Sequence, residues 1–148
     1  MMELKVKKFE ELSAFEIYEI LKSRSEVFML EQNIICQDMD DVDFKSYHFF
    51  FENENRVAAY LRVFYSDETR NKAVIGRVLT LADMRGRGIG CELMEKAIEF
   101  IKNNMPCRSI TLHSQKVAAG FYEKLGFKPA SEEFLEEGVV HIAMEMNL

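Results

Sequence analysis

Apolar residues along this chain switch between two spacings, and each switch marks an element boundary. Leu4 and Val6 alternate with Lys5 and Lys7, the period-two pattern of a short edge strand. Ser13 precedes Glu16 in a capping-box pattern, in which the serine oxygen and the glutamate carboxylate satisfy backbone donors left free at a helix start. Behind it Ile17, Ile20, Leu21, Val27 and Phe28 recur at helical spacing and predict a helix to about Leu30. Two strands follow over 47–52 and 56–65, joined through Asn53-Glu54-Asn55, and a polar link over 66–72 leads to a third over 73–81. Ile89, Leu93, Met94, Ala97, Ile98 and Ile101 then define one face of a long helix. A strand over 109–113, a short helix over 116–125 stopped by Gly126, and a hairpin of strands over 127–135 and 139–146 complete the chain.

A long helix between two strands predicts a parallel, right-handed crossover at the centre of a sheet, flanked by antiparallel hairpins. The architecture expected is α+β, with helices packed on a mixed sheet. At 148 residues, with no low-complexity stretch, repeat or charge block, one domain over 1–148 is expected. A formal charge of -6 and a pI near 5.2 argue against nucleic acid as a partner and favour a cationic substrate. The three cysteines, Cys36, Cys91 and Cys107, form no C-x-x-C pair and fit a reducing, cytoplasmic setting. Cys91 falls on the apolar-patterned helix and is expected to be buried. The start carries no signal-like apolar stretch and no run suits a membrane span, so neither secretion nor a membrane is expected.

The run Arg85-Gly86-Arg87-Gly88-Ile89-Gly90 sits between a strand and a helix. Glycines there permit positive φ and let a ligand approach with no Cβ in the way. Amide N–H groups at a helix start converge on one place and favour negative charge, and Arg85 and Arg87 are placed to add charge-assisted bonds to phosphate oxygens. The spacing is neither G-x-G-x-x-G nor G-x-x-x-x-G-K-[ST]. No metal is expected. The cysteines and histidines lack zinc spacing, and the acidic loop Gln37-Asp38-Met39-Asp40-Asp41-Val42-Asp43 lacks the glycine of a calcium loop. That loop is expected to be solvated, with attraction of a cationic substrate as the alternative.

Farther on, Ala118-Ala119-Gly120-Phe121-Tyr122-Glu123-Lys124-Leu125-Gly126-Phe127 follows the strand. The glycine turn and this segment, in order and on these elements, resemble the GNAT superfamily of N-acetyltransferases. The resemblance extends to its ElaA-like branch at Tyr18, Arg24, Val27-Phe28, Glu31-Gln32, Gln37-Asp38, Asp40, Ile75-Gly76-Arg77-Val78 and 138–144. Ile35-Cys36 stands where that branch has Pro-Tyr, and Gln115 where many members have Asn.

The resemblance implies an acyl-CoA N-acyltransferase fold with a mixed sheet of six to seven strands and flanking helices. It implies acetyl-CoA as cosubstrate and an amine of a small molecule, peptide or protein as acceptor. The pantetheine arm would lie between splayed strands ending at Thr80 and His113, beside the backbone of Leu79 and Thr80. The turn Arg85, Gly86, Arg87, Gly88, Ile89 and Gly90, with Gln115, would hold the rest of the cofactor. Tyr122 matches the family's general acid, while Phe121 is read as packing. An alkylamine must first lose a proton, at a cost of about 4.6 kcal/mol at neutral pH. Glu31, His48, His113 and His141 are candidate bases, and Glu31 and His141 match branch signatures. Two other readings are a non-catalytic acyl-CoA-binding module and an enzyme for longer acyl chains. Members of the family often form homodimers.

Overall fold

The capping box forms as its spacing requires. In the computed structural model, which describes residues 2–148, Ser13 Oγ accepts from the Glu16 N–H at 3.0 Å and Glu16 Oε1 accepts from the Ser13 N–H at 2.9 Å. It opens helix α1, Ala14–Arg24, which runs on into a π-helical stretch, Ser25–Glu31. Lys5 and Lys7 of strand β1, Glu3–Lys8, reach the same Glu16 carboxylate at 3.0–3.1 Å and tie the helix to the sheet edge.

Strands β2, Tyr47–Asn53, and β3, Arg56–Tyr65, form the predicted hairpin. Glu54 and Asn55 both have positive φ, 52° and 63°, so the turn is the type I′ kind whose twist matches paired strands. Strand β4, Lys72–Thr80, is followed by helix α2, Ile89–Asn104, and strand β5, Ser109–Gln115. Helix α3, Ala119–Lys124, then leads to β6, Lys128–Pro129, β7, Phe134–Glu136, and β8, Val139–Asn147. The sheet order is β1-β2-β3-β4-β5-β8-β6, with β7 also on β8. Among the described residues only β4 and β5 pair in parallel, at the crossover through α2.

The described residues form eight strands, against the six to seven expected, because the stretch over 127–135 breaks in two. Pro129 has no N–H to give a ladder, and Ser131 Oγ takes the Ala143 N–H at 3.0 Å where a strand carbonyl would. The apolar face of α2 is buried in full from Ile89 to Ile101 and packs on β2, β3 and β4. Cys91 is not part of it: it is half-buried, with its thiol 3.3 Å from Glu95 Oε1.

The acidic loop is only partly solvated: Asp41 is exposed, but Asp38, Asp40 and Asp43 bond to three arginines in a partly buried array. Arg24, with no exposed surface, donates to Asp38 Oδ2 at 2.9 Å, Asp43 Oδ1 at 2.7 Å and the Asp38 carbonyl at 3.1 Å. Arg62 donates to both Asp40 oxygens and to Asp43. Arg77 holds Asp38 from the other side, at 2.8 Å to Oδ1 and 3.0 Å to the carbonyl. Arg62's hydrogen bonds bring the Asp40 carboxyl down to about 2. Burial opposes the charge on Asp43, yet Arg24 and Arg62 outweigh it and hold that carboxyl below its ordinary range.

Arg77 also marks an irregularity in β4. Tyr60 pairs with Leu79 but Arg62 pairs with Gly76, so β4 carries one extra residue there, and Arg77 has φ +54°. A bulge of this kind bends and twists its strand. A left-handed non-glycine costs on the order of 1–3 kcal/mol, which the guanidinium's bonds to Asp38 offset. Removing one partner of such an array leaves buried charge unpaired. Arg24→Met is therefore expected to lower unfolding free energy by roughly 3–5 kcal/mol, read from urea denaturation; a loss under about 1 kcal/mol would mean that the array is not what anchors the loop.

Candidate active site

Strands β4 and β5 pair only at their beginnings, Lys72 with Ser109, Ala73 with Ile110 and Val74 with Thr111. Beyond Val74 the ladder stops, although β4 runs on to Thr80 and β5 to Gln115. Two neighbouring strands that part in this way leave backbone donors and acceptors facing a cleft. Leu79 and Thr80 lie on one wall of it, and His113 and Gln115 on the other.

The glycine turn closes the open end. Gly86 and Gly88 have φ of +80° and +75°, and a Cβ at either would meet nothing within 4 Å. Gly88 is the N-cap of α2 and brings no side-chain acceptor, so the first-turn amides of a 16-residue helix are left to a ligand. Gly90 is there for packing: a Cβ would come to 3.1 Å from Thr80 Oγ1 and 4.0 Å from Phe121 Cζ. That contact brings the starts of α2 and α3 together over the end of β4.

Phe121 and Tyr122 divide the roles differently from a purely packed pair. Phe121 is 37% exposed beside Gly90, whereas Tyr122 is buried against Phe121 and Phe127, with ring centroids at 5.0 and 6.2 Å. Burial pushes the Tyr122 phenol up to about 12, and no charged neighbour counters it. Such a group stays protonated at neutral pH and is a donor, not a base.

Arg85 does not extend a free guanidinium. It forms a two-point pair with Glu31, at 2.5 and 2.8 Å, and its Nε donates to the Thr80 carbonyl at 3.1 Å. Next to Glu31, Gln32 Oε1 accepts from Gln115 Nε2 at 2.9 Å. The end of the π-helical stretch thus bridges the cleft, touching the β4 side through Arg85 and the β5 side through Gln115. Arg85's hydrogen bonds hold the Glu31 carboxyl below its ordinary range, which makes Glu31 a poorer proton acceptor than expected. Arg87 is exposed on the turn.

The three histidines separate clearly. His48 is buried with both nitrogens occupied, Nε2 on the Asp43 carbonyl at 2.9 Å and Nδ1 on Tyr60 Oη at 2.6 Å. Burial lowers its pKa, and it serves the arginine–aspartate array. His113 and His141 lie elsewhere, on the sheet face that carries Gln115: Gln115 is opposite His141, and His113 opposite Ala143. His141 Nδ1 lies 2.8 Å from the Val139 carbonyl, which only accepts, so Nδ1 carries a proton and the neutral ring presents its lone pair at Nε2. His113 Nδ1 lies 2.8 Å from Glu136 Oε1.

Glu136, Phe134 and Gln32 were not singled out as site residues from the sequence. The hairpin register carries the first two: Glu137 and Gly138 form a second turn with positive φ at both positions, which sets Glu136 opposite Val139 and Phe134 opposite His141. Among the described residues no group of three or more histidine, cysteine, aspartate or glutamate side chains is disposed to hold a metal ion. Among the described residues no helix is long and apolar enough to cross a membrane.

Residues 14–148 match the family model described as an acetyltransferase (GNAT) domain. The chain belongs to the GNAT family. Protein ElaA of Escherichia coli is 35% identical over 136 residues, 90% of this chain and 89% of that protein. The crystal structure of Escherichia coli ElaA superposes with a TM-score of 0.93 at 33% identity, covering 99% of this chain and 100% of that one. An acyl-CoA N-acyltransferase from Pseudomonas aeruginosa gives 0.89 at 30% identity, covering 99% of both. A GNAT family acetyltransferase from Elizabethkingia anophelis with acetyl-CoA bound shares the fold, at a TM-score of 0.65 and 14% identity, covering 99% of this chain and 98% of that one. Within this GNAT chain the tight Gly90 contact yields a direct expectation. Gly90→Ala should push the Thr80 hydroxyl aside and lower the unfolding free energy by about 1 kcal/mol, measured by urea denaturation; an unchanged midpoint would show that the turn has slack.

Proposed function

We propose that the chain is an acetyl-CoA-dependent N-acetyltransferase that acts on a primary amine by direct attack. The observation that carries the proposal is the unpaired stretch of β4 and β5 leading to an uncapped helix start with two open, positive-φ glycines. Positive-φ glycines open to a ligand and amide donors without a side-chain acceptor suit a pyrophosphate, so the residues present fit coenzyme A.

In this reading the amides of the turn from Gly86 through Gly90 hold the pyrophosphate, and Arg87 adds charge. Arg85, committed to Glu31 and the Thr80 carbonyl, fixes the turn to the end of β4. Leu79 and Thr80 offer backbone groups to the pantetheine arm, and Gln115 lines the opposite wall. The cosubstrate supplies an activated acetyl thioester. A backbone N–H on the β4 side is suited to stabilise the oxyanion formed there.

Tyr122 donates its proton to the departing sulfur, a role that fits a phenol held neutral by burial. His141, whose Nδ1 proton is fixed on the Val139 carbonyl, takes a proton from the acceptor amine at Nε2. Glu31 is left to structure, because its carboxylate is engaged by Arg85.

Tyr122→Phe is expected to lower kcat about 100-fold or more, with acetyl-CoA affinity within a few-fold and the melting temperature little changed. An unaltered kcat would remove Tyr122 from proton transfer. Gly88→Val places a β-branched residue at φ +75° with its side chain in the cradle. It should abolish acetyl-CoA binding measured by calorimetry, with circular dichroism unchanged; retained binding would sink the assignment of the turn.

A further inference from the structure

His141 is a buried side chain, 7% exposed, yet only one of its ring nitrogens is satisfied. Its Nε2 faces Glu136 Oε2 at 3.6 Å, beyond hydrogen-bond reach. In the neutral ring with its proton on Nδ1, Nε2 is an acceptor and faces the acceptor oxygens of the carboxylate. A group rich in N–H donors, placed between them, bonds both.

The surroundings hold this pair in place. Glu136 Oε1 accepts from His113 Nδ1 at 2.8 Å, so the carboxylate is oriented from its far side. Phe134 stacks on His141, with centroids 6.1 Å apart and planes at 26°, and meets His113 edge-on at 5.1 Å. The rigid β7–β8 turn fixes the register of Phe134 and Glu136. The cluster lies on the face where Gln115 meets Gln32, beside the unpaired end of β5.

We propose that Glu136 and His141 Nε2 form a two-point clamp for the protonated amine of the acceptor, so that the protein selects cationic alkylamines. The proposal rests on the transferase reading for its chemistry. The ammonium binds between Oε2 and Nε2, and one N–H proton passes to Nε2. The freed amine forms its C–N bond to the acetyl carbonyl as the C–S bond breaks. The thiolate takes a proton from Tyr122, and the second amine proton restores the phenol through water. The imidazolium left on His141 is stabilised by Glu136 and returns its proton to solvent. Glu136 acts as a specificity-determining residue, and Phe134 and His113 as positioning residues.

The test uses the full chain with acetyl-CoA, 2-phenylethylamine as a cationic probe and aniline as a neutral one. In thiol-release kinetics Glu136→Gln should raise the KM for phenylethylamine about tenfold or more, since one charge-assisted bond is lost. The KM for acetyl-CoA should stay within twofold, and the KM for aniline, which brings no charge to the carboxylate, should change less than that for phenylethylamine. A second readout needs no turnover: in imidazole nitrogen NMR spectra, phenylethylamine should shift His141 Nε2 in the native chain and not in the variant. Equal responses of the native chain and the variant to phenylethylamine in the NMR spectra, or equal KM values, overturn the clamp. Failure of acetyl-CoA to bind in calorimetry would instead overturn the transferase reading, and the NMR titration would still decide the clamp.

Discussion

Asp38 is the point on which the cleft depends. Its carboxylate and its carbonyl are shared between Arg24 of α1 and Arg77 of β4, so one residue of an irregular loop joins a helix to the bulge of a central strand. The bulge keeps β4 registered with β3 while it twists, and β5 does not follow. Part of the charge pairing beside the opening thus comes from Arg24 and Asp38, which precede both strands in the sequence, while Arg77 belongs to β4 itself.

The strand-and-helix order was readable because each element carries a local signal. Ser13 and Glu16 fix a helix start by hydrogen bonds within one turn, and Asn53-Glu54-Asn55 holds a hairpin by backbone preference. The apolar spacing from Ile89 to Ile101 survives intact as the buried face of α2. The glycine turn was legible for the same reason, since positive φ is a property of single residues. What escaped was non-local. The aspartates of 38–43 read as a solvated loop because their arginine partners lie in α1, β3 and β4, and no periodicity links those places. The break of the last long strand turned on Pro129 and on a hydroxyl of Ser131 replacing a carbonyl, a substitution invisible to spacing.

Within the site the same division holds. Motif and position single out Tyr122 and the turn as candidates, and the structure adds which ring is buried and which is open. The candidate bases had no local signal to rank them. Hydrogen bonding separates them: His48 has both nitrogens engaged, Glu31 is held by Arg85, and His141 keeps one lone pair free. Glu136 emerges only when the hairpin register brings it between two imidazoles.

The sharing of Asp38 also bears on how this sequence can drift. Each of its arginine partners uses Nε together with a second guanidinium nitrogen, a planar two-point grip that a lysine ammonium does not reproduce. Arg24, Asp38 and Arg77 share bonds in one network, so the effects of changing them are non-additive. The three positions form one unit of inheritance. Routes that vary the β4 wall must pass through changes in α1 and in the loop, and the shape of the cleft is insulated from single substitutions at its foundation.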